Sequence, residues 1–325
     1  MTNDVAVDGS WSPIGSSTTS VFSGSFDGGG HRVTLNSSTT DSSRGLFGVV
    51  KFAVIENVIV DGTVSGGNYV GGVVGQAISS TLRNLGNEAD VSGTTGYVGG
   101  VVGYLTYDTR NGGDPCTIEN CYNRGAVVCT ANVKTAGGVA GGCSSMSSGT
   151  TTFMACYNTG SVTSSGYAGG ILGSNDSGKN IAFSDCYDAG TLTASGRAYL
   201  GSMVGFCNNL GTDPKMTNCY YVTGKNYYIY NGEQKSATDQ PAGNGSGKAT
   251  EMTAEEMKAA AASLGASYKA DSGINSGYPV LSWEKTCEHP AASIRTVAAV
   301  DPTCTEQGCT AGTTVHALQC LPDRP

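Results

Sequence analysis

The heptad YVGGVVG stands at residues 69–75 and again at 97–103. A strand-like run that carries three glycines, and is then copied, must meet the same surroundings each time it occurs. Aligned on its last glycine, the run reappears as GLFG at Gly48, GGVAG at Gly141, GGILG at Gly173 and GSMVG at Gly205. A second segment alternates with it: IENVIVDGTV (55–64), LRNLGNEADV (82–91), IENCYNRGAV (118–127), FMACYNTGSV (153–162), FSDCYDAGTL (183–192) and a degraded MTNCYYVTG (216–224). Two β-type segments that recur together, with length changes confined to their connections, specify a solenoid whose turns stack.

In such a stack equivalent residues of successive turns lie about 4.8 Å apart, so every sequence column becomes a ladder. Val64, Val91, Val127, Val162 and Leu192 are expected to form an inward apolar ladder. Their neighbours, among them Thr63, Ser65, Ser161, Thr163, Thr191 and Thr193, should face outward because strand side chains alternate. The valines of the heptad belong inside, and its glycines belong at a bend where backbones approach too closely for a Cβ. Asn87, Asn123, Asn158 and Asp188 read as corner residues tolerant of a left-handed backbone. Tyr69, Tyr97, Tyr167 and Tyr199 make a further column, broken by Thr135.

Only 14% of the 325 residues are charged, against about 25% in ordinary globular chains. Hydroxyls and glycine take their place, which suits stacked strands better than helices. The net charge of −8, without any run of Lys or Arg, argues against nucleic-acid partners and anionic membranes. No apolar stretch approaches the ~20 residues needed to insert through a bilayer. The opening MTNDVAVDGSW has neither a basic nor an apolar leader region, so the protein is either cytosolic or has had a secretory signal removed; the repeats and cysteines favour the second.

The columns GG-V/I-x-G and I-x-N-C-Y-N-x-G-x-V resemble the GLUG-motif repeats of bacterial surface proteins. WSPIG…FSGSFDGGGHRVTL…GLFGVV (11–50) resembles the segment that opens such arrays, and NSGYPVLSW (275–283) the one that closes them. The resemblance covers roughly residues 11–284. It implies an all-β, parallel β-helix or β-solenoid fold and a secreted or bacterial cell-surface setting. Similar repeats occur in adhesin-like proteins and beside the catalytic part of immunoglobulin A-cleaving metallopeptidases. The motif itself carries no catalytic residues to transfer.

Three regions are expected: solenoid repeats with their opening segment over 1–230, a linker with capping helix and closing GYPVLSW over 231–284, and a Cys-containing tail over 285–325. In ATEMTAEEMKAAAASLG, Thr253 and Glu256 fit a capping box, Met257, Ala260, Ala261 and Leu264 form a stripe, and Gly265 stops the helix. Such a helix would cover the open end of the stack.

The twelve cysteines separate by position. Cys121, Cys156, Cys186 and Cys219 share a column that Val58 and Leu85 occupy in earlier turns, so they read as buried thiols packing as small hydrophobes. Rung-to-rung disulfides are the alternative, with an awkward torsion. Cys116 and Cys129 flank one rung and could pair. In the tail, Cys287, His289, Cys304, Cys309, His316 and Cys320 suit disulfides, or zinc without any CxxC pair.

Chemistry of an enzyme is hard to find. His31 sits in a polar turn, and no HExxH, GxSxG or P-loop occurs. β-Helix glycosidases and lyases cluster carboxylates on one face, whereas Asp90 and Asp188 stand in different columns. Asp108, Arg110 and Asp114 share the insertion YDTRNGGDP, a loop that could line a groove. The expectation is therefore a noncatalytic scaffold or adhesin segment with no cofactor and no metal, monomeric within a larger protein. Its repetitive face would meet glycan or host protein weakly at each rung and gain by multivalency. A glycan-cleaving enzyme, an accessory region of a surface peptidase and an ice-binding face suggested by Thr191-Leu192-Thr193 are the alternatives. Tyr69, Tyr97, Tyr167, Tyr199, Asp108, Arg110 and Asp114 are the candidate ligand-binding residues.

Overall fold

The computed structural model describes residues 1–285 apart from 8–10, 131–133, 145–148, 177–179, 196–198, 209–213 and 245–246. The chain divides into a unit Met1–Glu284 and a second unit Lys285–Pro325. Cys287, His289, Cys304, Cys309, His316 and Cys320, with the disulfide and zinc readings attached to them, lie outside the described residues.

Met1–Glu284 is a β-solenoid of about eight turns. Pairing among its strands is parallel except at two hairpins, Asn226–Tyr230 with Glu233–Ser236 and Tyr268–Lys269 with Val280–Leu281. Parallel sheets of 19, six and five strands run along the stack. Val64 pairs with Val91, Val91 with Val127, Val127 with Val162, and Val162 with Leu192. All five are at most 1% exposed. Each fully buried valine is worth roughly 1.5–3 kcal/mol, and stacking identical residues lets every turn gain this from its neighbours. Leu192 then faces Asn226, a buried amide whose Nδ2 and Oδ1 have no partner. The valine column ends there.

The copied heptads now have a cause. Val70, Val73, Val74, Val98, Val101 and Val102 are fully buried. A Cβ on Gly103 would lie 2.5 Å from the Val70 nitrogen, so backbones of adjacent turns touch at this bend. The second glycine of each GG pair has a separate reason. A Cβ on Gly72 would lie 2.7 Å from Asn87 Cγ, and one on Gly138 would lie 2.6 Å from Asn158 Oδ1. Gly100 and Gly170 meet Asn123 and Asp188 in the same way.

That contact corrects the corner reading of the asparagines. Asn87, Asn123, Asn158 and Asp188 are buried, and none has a positive φ. They form an inward amide ladder: Asn87 Nδ2 donates to Asn123 Oδ1 (2.7 Å), Asn123 Nδ2 to Asn158 Oδ1 (2.8 Å), and Asn158 Nδ2 to Asp188 Oδ1 (2.9 Å). The same amides donate to Ala89 O, Gly125 O and Gly160 O, so one side chain closes its own turn and binds the next. The left-handed corner falls elsewhere, at Asn57, Asn84, Asn120, Ala155, Asp185 and Asn218, each just before the cysteine column. Four of the six are asparagine, which tolerates that backbone, and one is aspartate.

The helix is shorter than the pattern suggests. The capping box at Thr253 and Glu256 forms, but the α-helix spans only Ala254–Lys258 before a 3₁₀ turn, Ala260–Ala262. Gly265, at φ 93°, ends the turn. The helix sits on the final strands of the stack, Tyr220–Val222 and Thr250–Met252. Met257, Ala260 and Leu264 pack with Val222, Tyr187, Tyr268 and Tyr278 on the outside of the last turns. Residues 253–284 continue as a strap back along the stack, and Trp283 Nε1 donates to Asn120 O (2.9 Å). Under the strap, Tyr122, Tyr157 and Tyr187 stack with centroids 5.3 and 5.0 Å apart. The C-terminal edge of the large sheet is also covered, by Thr250–Met252 on Tyr220–Val222 and by the hairpin through Asn231 and Gly232, both at positive φ. Its outer strand Glu233–Ser236 is exposed and carries Glu233 and Lys235, charges that discourage further pairing.

Candidate functional site

The tyrosine column lies on the outer face at the heptad bend. Thr135 pairs in register with Tyr97 on one side and Tyr167 on the other, so the break seen in sequence is a real rung. The rings form two groups around it. Tyr69 and Tyr97 stack at 5.8 Å, and Tyr104 joins both at 5.0 and 4.6 Å. Beyond Thr135, Tyr167 lies 4.5 Å from Phe206 and 5.6 Å from Tyr199, which is 43% exposed.

Between the groups the side chains shrink to Thr135, Gly142 and Ser174, all buried, and the Tyr97 ring lies over Gly142. A carboxylate is fixed where that ring ends. Asp176 Oδ2 accepts from the hydroxyls of Tyr97 (2.7 Å) and Tyr104 (3.4 Å), and Asp176 Oδ1 accepts from Ser174 Oγ (2.8 Å). Burial first, and then Asp176, push the Tyr97 hydroxyl well above its ordinary value, so it stays a proton donor. Lys134 Nζ stands 5.9 Å from the Tyr97 ring. Tyr104, Phe206 and Asp176 were not singled out from sequence. Tyr104 and Phe206 directly follow the motif glycines Gly103 and Gly205, a position held elsewhere by Val49, Gln76, Gly142 and Ser174.

The insertion does not assemble a second site. Asp108 binds Lys51 at 2.5 Å and accepts from the backbone of Arg110 and Asn111 and from Asn111 Nδ2. Lys51 is the main cause holding its carboxyl well below the usual range. Asp108 thus ties its own loop down, while Arg110 and Asp114 are exposed. Arg110 reaches Asp108 through its backbone N–H. His31 pairs with Asp4 at 3.1 Å.

Two clusters the sequence reading left incomplete are structural. Cys121, Cys156 and Cys186 are buried free thiols. Their sulfurs donate to Glu119 O, Met154 O and Ser184 O, each two residues back. Cys219 continues the column and is also free. Burial pushes the Cys156 and Cys186 thiols far up, which keeps them un-ionised and inert. Cys116 is free as well, donating to Thr106 O, and Cys129 Sγ donates to Gly96 O, so the two do not pair. The second cluster locks the strap. Glu284, 2% exposed, pairs with Arg124, whose guanidinium also binds Glu88 at 3.0 Å and the Tyr157 hydroxyl at 2.6 Å. Tyr157 donates to Glu284 at 2.9 Å, and Arg124 lies 4.3 Å over the Tyr122 ring. Among the described residues no three His, Cys, Asp or Glu side chains are grouped to hold a metal, and no helix is long and apolar enough to cross a membrane.

Residues 94–128 match the family model of the GLUG motif. No curated protein matches the chain in sequence. Among solved structures, the chain is similar to a Bacteroides ovatus protein provisionally named an immunoglobulin A1 protease. The TM-score is 0.65 at 21% identity, over 87% of this chain and 85% of that one. At that identity the likeness concerns the fold.

Proposed function

We propose that this chain is a noncatalytic segment of a secreted or surface-exposed bacterial protein, a stiff solenoid that presents its outer face for weak, repeated binding. The GLUG match and the neighbour's fold support the extracellular setting. The observation that carries the binding role is the outer face itself: rigid register holds Tyr69 and Tyr97, and beyond the Thr135 rung Tyr167 and Tyr199, in one column, where small affinities add. Four carboxylates are engaged in structure, which favours the noncatalytic reading: Asp108 with Lys51, Glu88 and Glu284 with Arg124, Asp188 in the amide ladder. Incubating the chain with an array of immobilised glycans and host proteins, and separately with soluble glycans and immunoglobulin A1, tests this. Binding without new reducing ends or cleaved heavy chain is expected. Cleavage of either substrate would replace this reading with an enzymatic one.

The neighbour's name supports a second, compatible reading, that the segment is an accessory region carried by a surface peptidase. Here the solenoid would hold or space the catalytic part rather than act on substrate.

A further inference from the structure

The two aromatic groups and the carboxylate between them have the makings of one elongated site. From Tyr69 to Tyr199 the column crosses five rungs, four steps of about 4.8 Å, or about 19 Å of face along the solenoid axis. Within each group the rings stack on one another, so what they offer a sugar chain is a row of ring edges and hydroxyls, which needs no deep pocket. The middle supplies what a purely apolar protein-docking patch lacks. Asp176 is held by three hydroxyl donors, and so presents a fixed carboxylate beside the Tyr97 ring. A carboxylate so oriented accepts hydrogen bonds from neighbouring sugar hydroxyls at the strength of a charge-assisted bond. The small, buried residues Thr135, Gly142 and Ser174 let the Tyr97 ring lie across Gly142 and reach Asp176, so that ring and carboxylate share one surface on which a bound chain would lie. Charge narrows the ligand further. The acceptor is anionic and the whole chain carries −8, so uronate-rich or sulfated polymers are repelled and neutral ones are not.

We propose that Tyr69, Tyr97, Tyr104, Tyr167, Tyr199 and Asp176 form a binding site for a neutral polysaccharide lying along the solenoid axis. This rests on the reading of the chain as a noncatalytic binding scaffold and names the ligand class and place. Thr135 occupies the column natively, so Tyr97→Thr and Tyr167→Thr place in it a residue the fold already accepts there. The test is affinity electrophoresis of the full chain in gels containing mixed-linkage β-glucan, xylan or glucomannan, with polygalacturonate as the acidic comparison. At least one neutral polymer should retard the chain and polygalacturonate should not. Each threonine variant should weaken retardation about tenfold, a change of about 1.4 kcal/mol, and Tyr230→Ala on the remote hairpin should leave it unchanged. Retardation by no neutral polymer, or by one to which both threonine variants are indifferent, overturns the site. A chain that then still binds host protein keeps the scaffold reading, whereas polymers shortened during the run would remove the scaffold reading itself.

Discussion

Asp188 ends the amide ladder with a group that burial disfavours as an ion. Desolvation is the largest influence on it and pushes its carboxyl up to about 7 from an ordinary 3.8, against the help of the Asn158 amide and the Gly190 N–H. The unfolded chain ionises near 3.8 while the folded chain keeps its proton until about 7, so the folded state holds more protons across that window. Stability from this group is therefore complete below about pH 4, drains as pH rises toward 7, and is level above it. The gap between the two values corresponds to about 4 kcal/mol. Asp188→Asn has no proton to lose, and its new amide can reach Gly190 O as Asn158 reaches Gly160 O. Urea unfolding followed by tyrosine fluorescence should give nearly equal stabilities at pH 4 and a variant more stable by up to about 4 kcal/mol at pH 8, with unchanged m-values. A difference independent of pH, or a variant weaker than the parent at pH 8, would show that Asp188 is not a buried, proton-holding member of the ladder.

Other substitutions probe separate parts of the same frame. Gly138→Ala should cost about 3 kcal/mol or more in urea unfolding, because its Cβ would fall 2.6 Å from Asn158 Oδ1 in a core that cannot yield. Asn226→Val should stabilise by about 1–2 kcal/mol, removing a buried amide without partners and extending the valine column. Glu284→Gln leaves Arg124 short of a buried counter-charge and should cost about 3 kcal/mol; limited proteolysis should then cut within 253–284 well before the rungs.

Much of the fold was legible because the inner columns repeat in residue type: Val64, Val91, Val127, Val162 and Leu192 fit one environment, and insertions fall between rungs. The asparagine column was misread because asparagine suits both a left-handed corner and a stacked amide, and one column cannot tell these apart. A pair of columns can. Where the ladder position holds Asn or Asp, the heptad holds its second glycine at 72, 100, 138 and 170; where it becomes Tyr221, the glycine becomes Ser202. Tyr122, Tyr157 and Tyr187 escaped notice because an outward tyrosine looks solvent-facing until the strap that covers them, over 60 residues on from Tyr187, is placed. The candidate face was half legible: its tyrosines stand in one column, but Tyr104 and Phe206 come from a neighbouring sheet and Asp176 from the loop after it, joined only by the fold.

The stacking of turns can be read directly as a ruler. Ser38, Ser65, Ser92, Val128, Thr163, Thr193 and Tyr227 share one outward column, each paired with the next. Spin labels at Ser38 paired with labels at Thr163, Thr193 or Tyr227 should give pulsed-EPR distances of about 19, 24 and 29 Å, rising by about 4.8 Å per rung. Distances that fail to increase in that order, or that scatter as in separate domains, would contradict the solenoid on which every other conclusion rests.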